Sequence, residues 1–201
     1  SQDGKFFLPK ISFGIQTISI GYLVDPDQAV IWRGPMATGA LQQLLTQTLW
    51  DDLDYLMIDL PPGTGDIQLT LAQHIPVSGA VIVTTPQDIA LLDAQRGLAM
   101  FEKVNVPILG LVENMSLHRC SQCGHEEHIF GEGAAEQMQK DFGVAILGQL
   151  PLDIAIRRDA DAGHPTVIVA PEGRLAETYR KMARKMAVAI GKMQEDHRAK
   201  F

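Results

Sequence analysis

Two cysteines occur in the 201 residues, Cys120 and Cys123, in the string RCSQCGH. Thiolates at this spacing can grip one metal, but the common all-thiolate sites take four ligands. One chain therefore supplies half of such a site. His118, His125 and His128 stand close by. Any of them could complete a zinc site, and C-x-x-C-G-H reads as half a zinc knuckle. The spacing also occurs in redox motifs, where the pair usually opens a helix that lowers a thiol pKa. Here it sits in a polar loop ahead of a helix expected from Gly131, which argues against redox use. Without a metal, the three histidines read as solvated loop residues.

A second group of chemistry-bearing residues follows the apolar run YLMIDL. Asp59 would be delivered to the carboxyl end of a strand over Tyr55 to Leu60. A carboxylate there can hold Mg²⁺ directly or through water, as the second acidic motif of phosphate-binding NTPases does. Pro61, Pro62, Gly63, Thr64 and Gly65 shape a tight loop whose backbone N–H groups can approach phosphate. The plainer alternative is a turn with a solvated aspartate. Further strand ends carry further candidates. Thr85 or Asp88, in VTTPQD, could cap the next helix or touch a ligand. Asn114, in LVENMS, has an amide able to pair with an adenine edge. Pro151 and Asp153, in LGQLPLD, could flank a base. Taken singly, each of these reads as a turn or loop former.

The elements that must position these groups alternate. Strands are predicted at Ile15 to Ile20, Tyr55 to Leu60, Ala80 to Thr84, Ile108 to Val112 and Val144 to Leu147. Helical spacing of Leu41, Leu44, Leu45 and Leu49 marks one helix, and others are expected at 88–103, 131–142 and 172–195. Short, nearly all-apolar runs alternating with helices predict an α/β fold: a three-layer, doubly wound, mostly parallel sheet with helices on both faces. Such sheets bind ligands at the carboxyl ends of their strands. No repeat, low-complexity tract or linker is visible, so residues 1–201 read as a single domain. In the last helix, Leu175, Tyr179, Met182, Met186, Ile190 and Met193 form an apolar stripe, with Arg180, Lys181, Arg184 and Lys185 on the other faces. Packing on the sheet is favoured over a membrane-surface role.

Composition excludes several classes. With 46% hydrophobic and 20% charged residues the chain is ordinary globular material. Seventeen basic against 24 acidic residues give a net charge of −7, which sets up no broad field for nucleic acid. No apolar run reaches the ~18 residues of a membrane span. The start SQDGKFFLPK has no apolar segment of a signal peptide, so the expected location is cytoplasmic.

The strings WRGPMATGAL, DYLMIDLPPGTGDIQLTLAQ, GAVIVTTPQDIALLDAQRG, VPILGLVENMS, CSQCGH, IFGEGAAE and LGQLPLD together resemble one family. It is that of the Mrp/ApbC-type iron–sulfur cluster carriers, within the MinD/ParA-like group of P-loop ATPases. The resemblance runs from about Gly14 to near the C-terminus. It implies a homodimeric, P-loop NTPase-like α/β protein that binds ATP and delivers a labile [4Fe–4S] cluster to apo-proteins. It places Asp59 on the magnesium side and Gly63, Thr64 and Gly65 near the γ-phosphate. Asn114 and the Pro151–Asp153 loop lie around adenine, and Cys120 and Cys123 ligate the cluster. A two-fold dimer would supply two thiolates from each copy, making four.

One departure is large. The family's phosphate loop, G-x-x-x-x-G-K-[ST] or its variant with an extra lysine, is absent from the 201 residues. Gly4-Lys5 has neither a glycine run before it nor a serine or threonine after it. The chain therefore reads as the C-terminal part of a longer protein that lacks an N-terminal βα unit. The lysine and hydroxyl that clamp the β- and γ-phosphates are missing, so ATPase activity of this chain alone is expected to be negligible. Two other functions remain open: a MinD/ParA-like positioning ATPase, and a zinc-stabilised interaction module.

Overall fold

The structure is a computed structural model and describes residues 5–23, 34–60, 68–69, 72 and 75–198. The chain divides into two compact units, Ser1–Pro76 and Val77–Phe201.

In the first unit, Phe13 and Gly14 both take positive φ, 52° and 77°. A two-residue turn of that hand matches the twist of a hairpin. It joins β1 (Lys10–Ser12) antiparallel to β2 (Ile15–Thr17). The strand predicted over Ile15 to Ile20 thus ends early and belongs to a hairpin, not to a parallel sheet. Ser19 stops it, because its hydroxyl accepts from the Gly21 N–H and caps a 3-10 turn, Ile20–Tyr22. Helix α1 (Gly34–Thr46) buries Leu44 and half-buries Leu41 and Leu45, whereas Leu49, the fourth residue of the expected stripe, lies beyond the helix and is exposed. Beyond it, Thr48 bridges to Phe7.

The strand predicted over Tyr55 to Leu60 does not form. Tyr55, Leu56 and Met57 are 55%, 43% and 69% exposed. A β-ladder exists only where a neighbour takes the backbone N–H and C=O groups. Among the described residues of this unit, no segment pairs with 55–60.

The second unit holds the parallel sheet. Its elements run β3 (Ala80–Thr84), α2 (Asp88–Lys103), β4 (Ile108–Glu113), β5 (His118–Arg119), β6 (Glu126–Glu127), α3 (Ala134–Phe142) and β7 (Ile146–Gln149). Then come α4 (Ile154–Asp161), α5 (Thr166–Val169) and α6 (Arg174–Arg198). The main sheet has the order β3-β4-β7, parallel throughout, and β5 and β6 form a separate antiparallel pair. Leu109, Gly110 and Leu111 of β4 are buried in succession, as a strand covered on both faces must be. Leu98 of α2, Leu111 of β4 and Met138 of α3 are at most 2% exposed. Burial of each such side chain stabilises by about 1.5–3 kcal/mol.

Two glycines are structurally required. A Cβ at Gly148 of β7 would stand 2.5 Å from Cγ of Met182, so its absence lets α6 approach the sheet. Gly143, at φ 68°, ends α3 and returns its N–H to Gln139 O at 2.9 Å. Met182 is buried, and Tyr179, Met186 and Ile190 are half-buried, so the last helix packs as expected. Among the described residues, no helix is long and apolar enough to cross a membrane.

Candidate functional site

The site grows out of the carboxyl ends of β4 and β7. Pairing between these strands does not stop where they formally end. Leu150 N–H donates to Glu113 O at 2.8 Å, and Ser116 N–H donates to Leu150 O at 2.9 Å. The Ser116 hydroxyl donates to the same carbonyl. Leu152 N–H donates to Leu117 O at 2.8 Å, and His118 bridges to Leu152. The segment 150–152 is thereby zipped along the segment that leads into the cysteines. The Pro151–Asp153 loop thus starts beside Ser116, Leu117 and His118, two residues short of Cys120.

Asn114 is half-buried at the end of β4. Its backbone N–H donates to Thr84 O at 2.7 Å. Its side-chain oxygen accepts from Met115 N–H at 3.0 Å, stabilising Met115 at φ 57°. Asp153 is the N-cap of α4, with Oδ1 accepting from Ala155 N–H at 2.7 Å. Pro151 is half-buried beside it. The alternatives proposed for α2 fare differently. Its N-cap is Gln87, without a side-chain cap, so neither Thr85 nor Asp88 caps it. Thr85 donates its hydroxyl to Gln87 Oε1 instead, and Asp88 lies in the first turn, where a negative charge meets the helix dipole favourably.

The cysteines occupy the tip of the β5–β6 hairpin. His118 pairs with Glu127 and Arg119 with Glu126. Cys120 N–H donates to His125 O, and Gly124 N–H donates to Cys120 O, both at 2.9 Å. Gly124 turns the chain at φ 73°, a conformation costly to any residue with a Cβ. Cys120 is half-buried and Cys123 exposed, and both are free thiols. Backbone N–H groups of Cys123 and then Gln122 point at the Cys120 sulfur. With the Cys123 thiol and the nearby His118 they hold the Cys120 thiol below its ordinary pKa, against a smaller opposing effect of burial. A thiolate stabilised by backbone N–H groups is a competent soft-metal ligand.

His118 is not the solvated loop residue that the sequence suggests, whereas His128 is exposed and outside any strand. His118 is half-buried, and its Nδ1–H donates to Leu152 O at 3.1 Å. His128 donates Nδ1–H to Ser116 O at 2.9 Å, and its other nitrogen lies 3.6 Å from Glu132. Both tie the base of the hairpin. Among the described residues, no three His, Cys, Asp or Glu side chains are grouped to hold a metal.

Asp59 lies in the first unit, exposed and outside any strand. Gly63, Thr64 and Gly65 fall outside the described residues. An apolar cavity of about 380 Å³, lined by Ile156, Ala160, Pro165, Thr166, Val167 and Tyr179, contains none of the candidate ligand residues named above. Burial pushes the Tyr179 phenol up there.

The parallel α/β sheet is shared with solved structures. A nucleotide-binding protein from Archaeoglobus fulgidus, in complex with ADP, superposes with a TM-score of 0.66 at 33% identity, over 80% of this chain and 62% of that one. The fold is that of the P-loop NTPases. The sequence matches the family described as ParA: NUBPL iron-transfer P-loop NTPase over residues 1–187, and the chain belongs to that family. The iron–sulfur cluster carrier protein of Escherichia coli (strain K12) is 59% identical over 190 residues, which are 94% of this chain and 52% of that protein. The iron–sulfur cluster transfer protein NUBPL of Mus musculus is 48% identical over 175 residues, 87% of this chain and 55% of that one. The chain spans about half the length of these curated relatives.

Proposed function

We propose that this chain belongs to an iron–sulfur cluster carrier that delivers its cargo to apo-proteins. The carrying observation is the Cys120-x-x-Cys123 tip, two free thiols on a hairpin with backbone N–H groups aimed at one sulfur. Two thiols, with no third His, Cys, Asp or Glu side chain grouped with them among the described residues, fit half of a [4Fe–4S] site. The other half comes from the same turn of a second copy, in a two-fold homodimer. Cargo held at an exposed tip by few ligands is suited to transfer.

Nucleotide binding is the second part of the reading. Asn114, Pro151 and Asp153 would surround adenine, at the edge where open α/β sheets take ligands. Asp59 would hold Mg²⁺, and Gly63, Thr64 and Gly65 would contact the phosphates. Hydrolysis of ATP, where it occurs, is phosphoryl transfer to water by positioning and charge neutralisation. The 201 residues contain no phosphate-loop lysine, so by themselves they should turn ATP over negligibly. Ordinary turnover by this chain alone would contradict that.

The test of the carrier reading is iron and acid-labile sulfide content, with an absorption spectrum, on protein purified without oxygen beside Cys120→Ser/Cys123→Ser. Iron and sulfide in equal amounts, lost in the double variant, are expected. Zinc near one per chain without sulfide sinks the reading in favour of a structural knuckle. An empty chain is reconstituted with iron and sulfide, and failure to take them up counts against the reading equally.

A further inference from the structure

Glu113 is a charged residue where the strand pattern asks for an apolar one. It ends β4 and is 2% exposed. A buried carboxylate is tolerated only where hydrogen-bond donors replace water, and two separate elements supply them. Oε2 accepts from Ala135 N–H at 2.8 Å, and Oε1 accepts from Gln149 Nε2 at 3.1 Å. Ala135 is the second residue of α3. The N-cap of that helix, Gly133, has no side chain and makes no cap. The carboxylate of Glu113 takes over the capping role from a different element, with its charge at the positive end of the helix.

The connectivity gives this contact its meaning. The chain leaves the sheet at Glu113, passes Asn114, runs out to Cys120 and Cys123, and returns through Gly131 and Gly133, both at positive φ. It re-enters regular structure at Ala134, and the next N–H meets the carboxylate it departed from. One side chain closes the base of the whole excursion, which lowers the number of arrangements open to it. Through Gln149 the same carboxylate also holds the end of β7, where the Pro151–Asp153 loop begins.

We propose that Glu113 is the positioning residue of the cysteine hairpin, clamping both ends of its base and fixing it against the strand end that leads to the 151–153 loop. Its consequence for cargo rests on the carrier reading above. The proposal separates shape from chemistry. In Glu113→Gln the new amide oxygen can accept from Ala135, and its nitrogen can donate to Gln149 once that exposed amide turns over. In Glu113→Leu the volume is similar, but Ala135 N–H loses its acceptor and Gln149 keeps only Glu136.

Two readouts test it. The first is amide hydrogen exchange of residues 118–128 and 134–137 in the metal-free chain. The second is the rate at which a chelator strips iron from the anaerobically reconstituted chain. Glu113→Leu should expose both segments to exchange and speed stripping roughly tenfold, the usual scale for losing an outer partner of a metal ligand. Glu113→Gln should stay close to the parent in both. Leu147→Ala, a core truncation in β7, controls for general loss of stability: it should lower the urea midpoint and raise exchange across the sheet, without a selective rise at 118–128 and 134–137. Unchanged exchange in Glu113→Leu, equal harm from Glu113→Gln, or equal acceleration from Leu147→Ala would each overturn the proposal. If Glu113→Leu does not fold, Gln149→Leu carries the test. It removes two bonds at an exposed position, to Glu113 and to Glu136, and should raise exchange at 118–128; no change there overturns the clamp. If the parent takes up no iron, the carrier reading fails alone, and the exchange measurement still decides the role of Glu113.

Discussion

The base and the tip of the cysteine hairpin are built on opposite terms. At the base, nearly every polar group has a partner: Ser116 and Leu117 are hydrogen-bonded to 150–152, His118 to Leu152 O, His128 to Ser116 O, and Glu113 to α3 and Gln149. At the tip, Cys123 is exposed, and the turn is held by two backbone bonds between Cys120, Gly124 and His125. The difference teaches how a labile cargo can be held at a defined place. Rigidity sits in the strand extension, and the reactive sulfurs stand beyond it on a short, solvated turn.

Perturbations of the base should act through folding. Leu111 is fully buried in the central strand, so Leu111→Ala should cost about 2–5 kcal/mol in urea unfolding. A smaller cost would mean that the sheet is not the anchor of the hairpin. At the tip, Gly124→Ala forces a Cβ into the left-handed region, at about 1–2 kcal/mol. If the turn frays locally to escape that strain, the loss should appear in reconstitution with iron and sulfide and not in global unfolding. Equal effects on both would erase the distinction between tip and base. Asp153→Ala removes the cap of α4 and should cost about 1 kcal/mol. An unchanged urea midpoint would show that the cap is not used in solution.

The smallest effect concerns pH. Neighbouring N–H groups favour the thiolate of Cys120, so its alkylation rate should reach half-maximum at a lower pH than that of a cysteine in an unstructured peptide. The thiolate fraction then stays high as pH falls below the ordinary thiol range and is lost only nearer the lowered pKa. A half-maximum at or above the peptide value would mean that the hairpin does not direct its N–H groups at the sulfur.

What the sequence disclosed divides along the same line between local and distant causes. The helix expected at 88–103 is α2 (Asp88–Lys103), because its periodicity is local. The helix expected from 131 starts at Ala134 because Gly131 and Gly133 take positive φ first. The roles of Cys120, Cys123, Asn114 and the Pro151–Asp153 loop come from the family resemblance and not from local pattern. Tyr55–Leu60 read as a strand from composition alone, whereas forming one depends on a partner that no described residue of its unit supplies. The periodicity assigns no element to 154–169, where α4 and α5 form, since Asp153 announces its cap only once the chain after it turns. Glu113 escaped notice because its donors are residues 135 and 149, distant in sequence. The available signal was a charged residue closing an apolar run. His118 was taken for solvent-exposed because its partner, Leu152 O, is a backbone atom on another strand.

The most direct test of the central claim, that cargo is held between two such tips, is native mass spectrometry of the chain after anaerobic reconstitution with iron and sulfide. The account predicts a two-chain species carrying one cluster of about four iron and four sulfide, absent in Cys120→Ser/Cys123→Ser. A single chain retaining the metal by itself would contradict it.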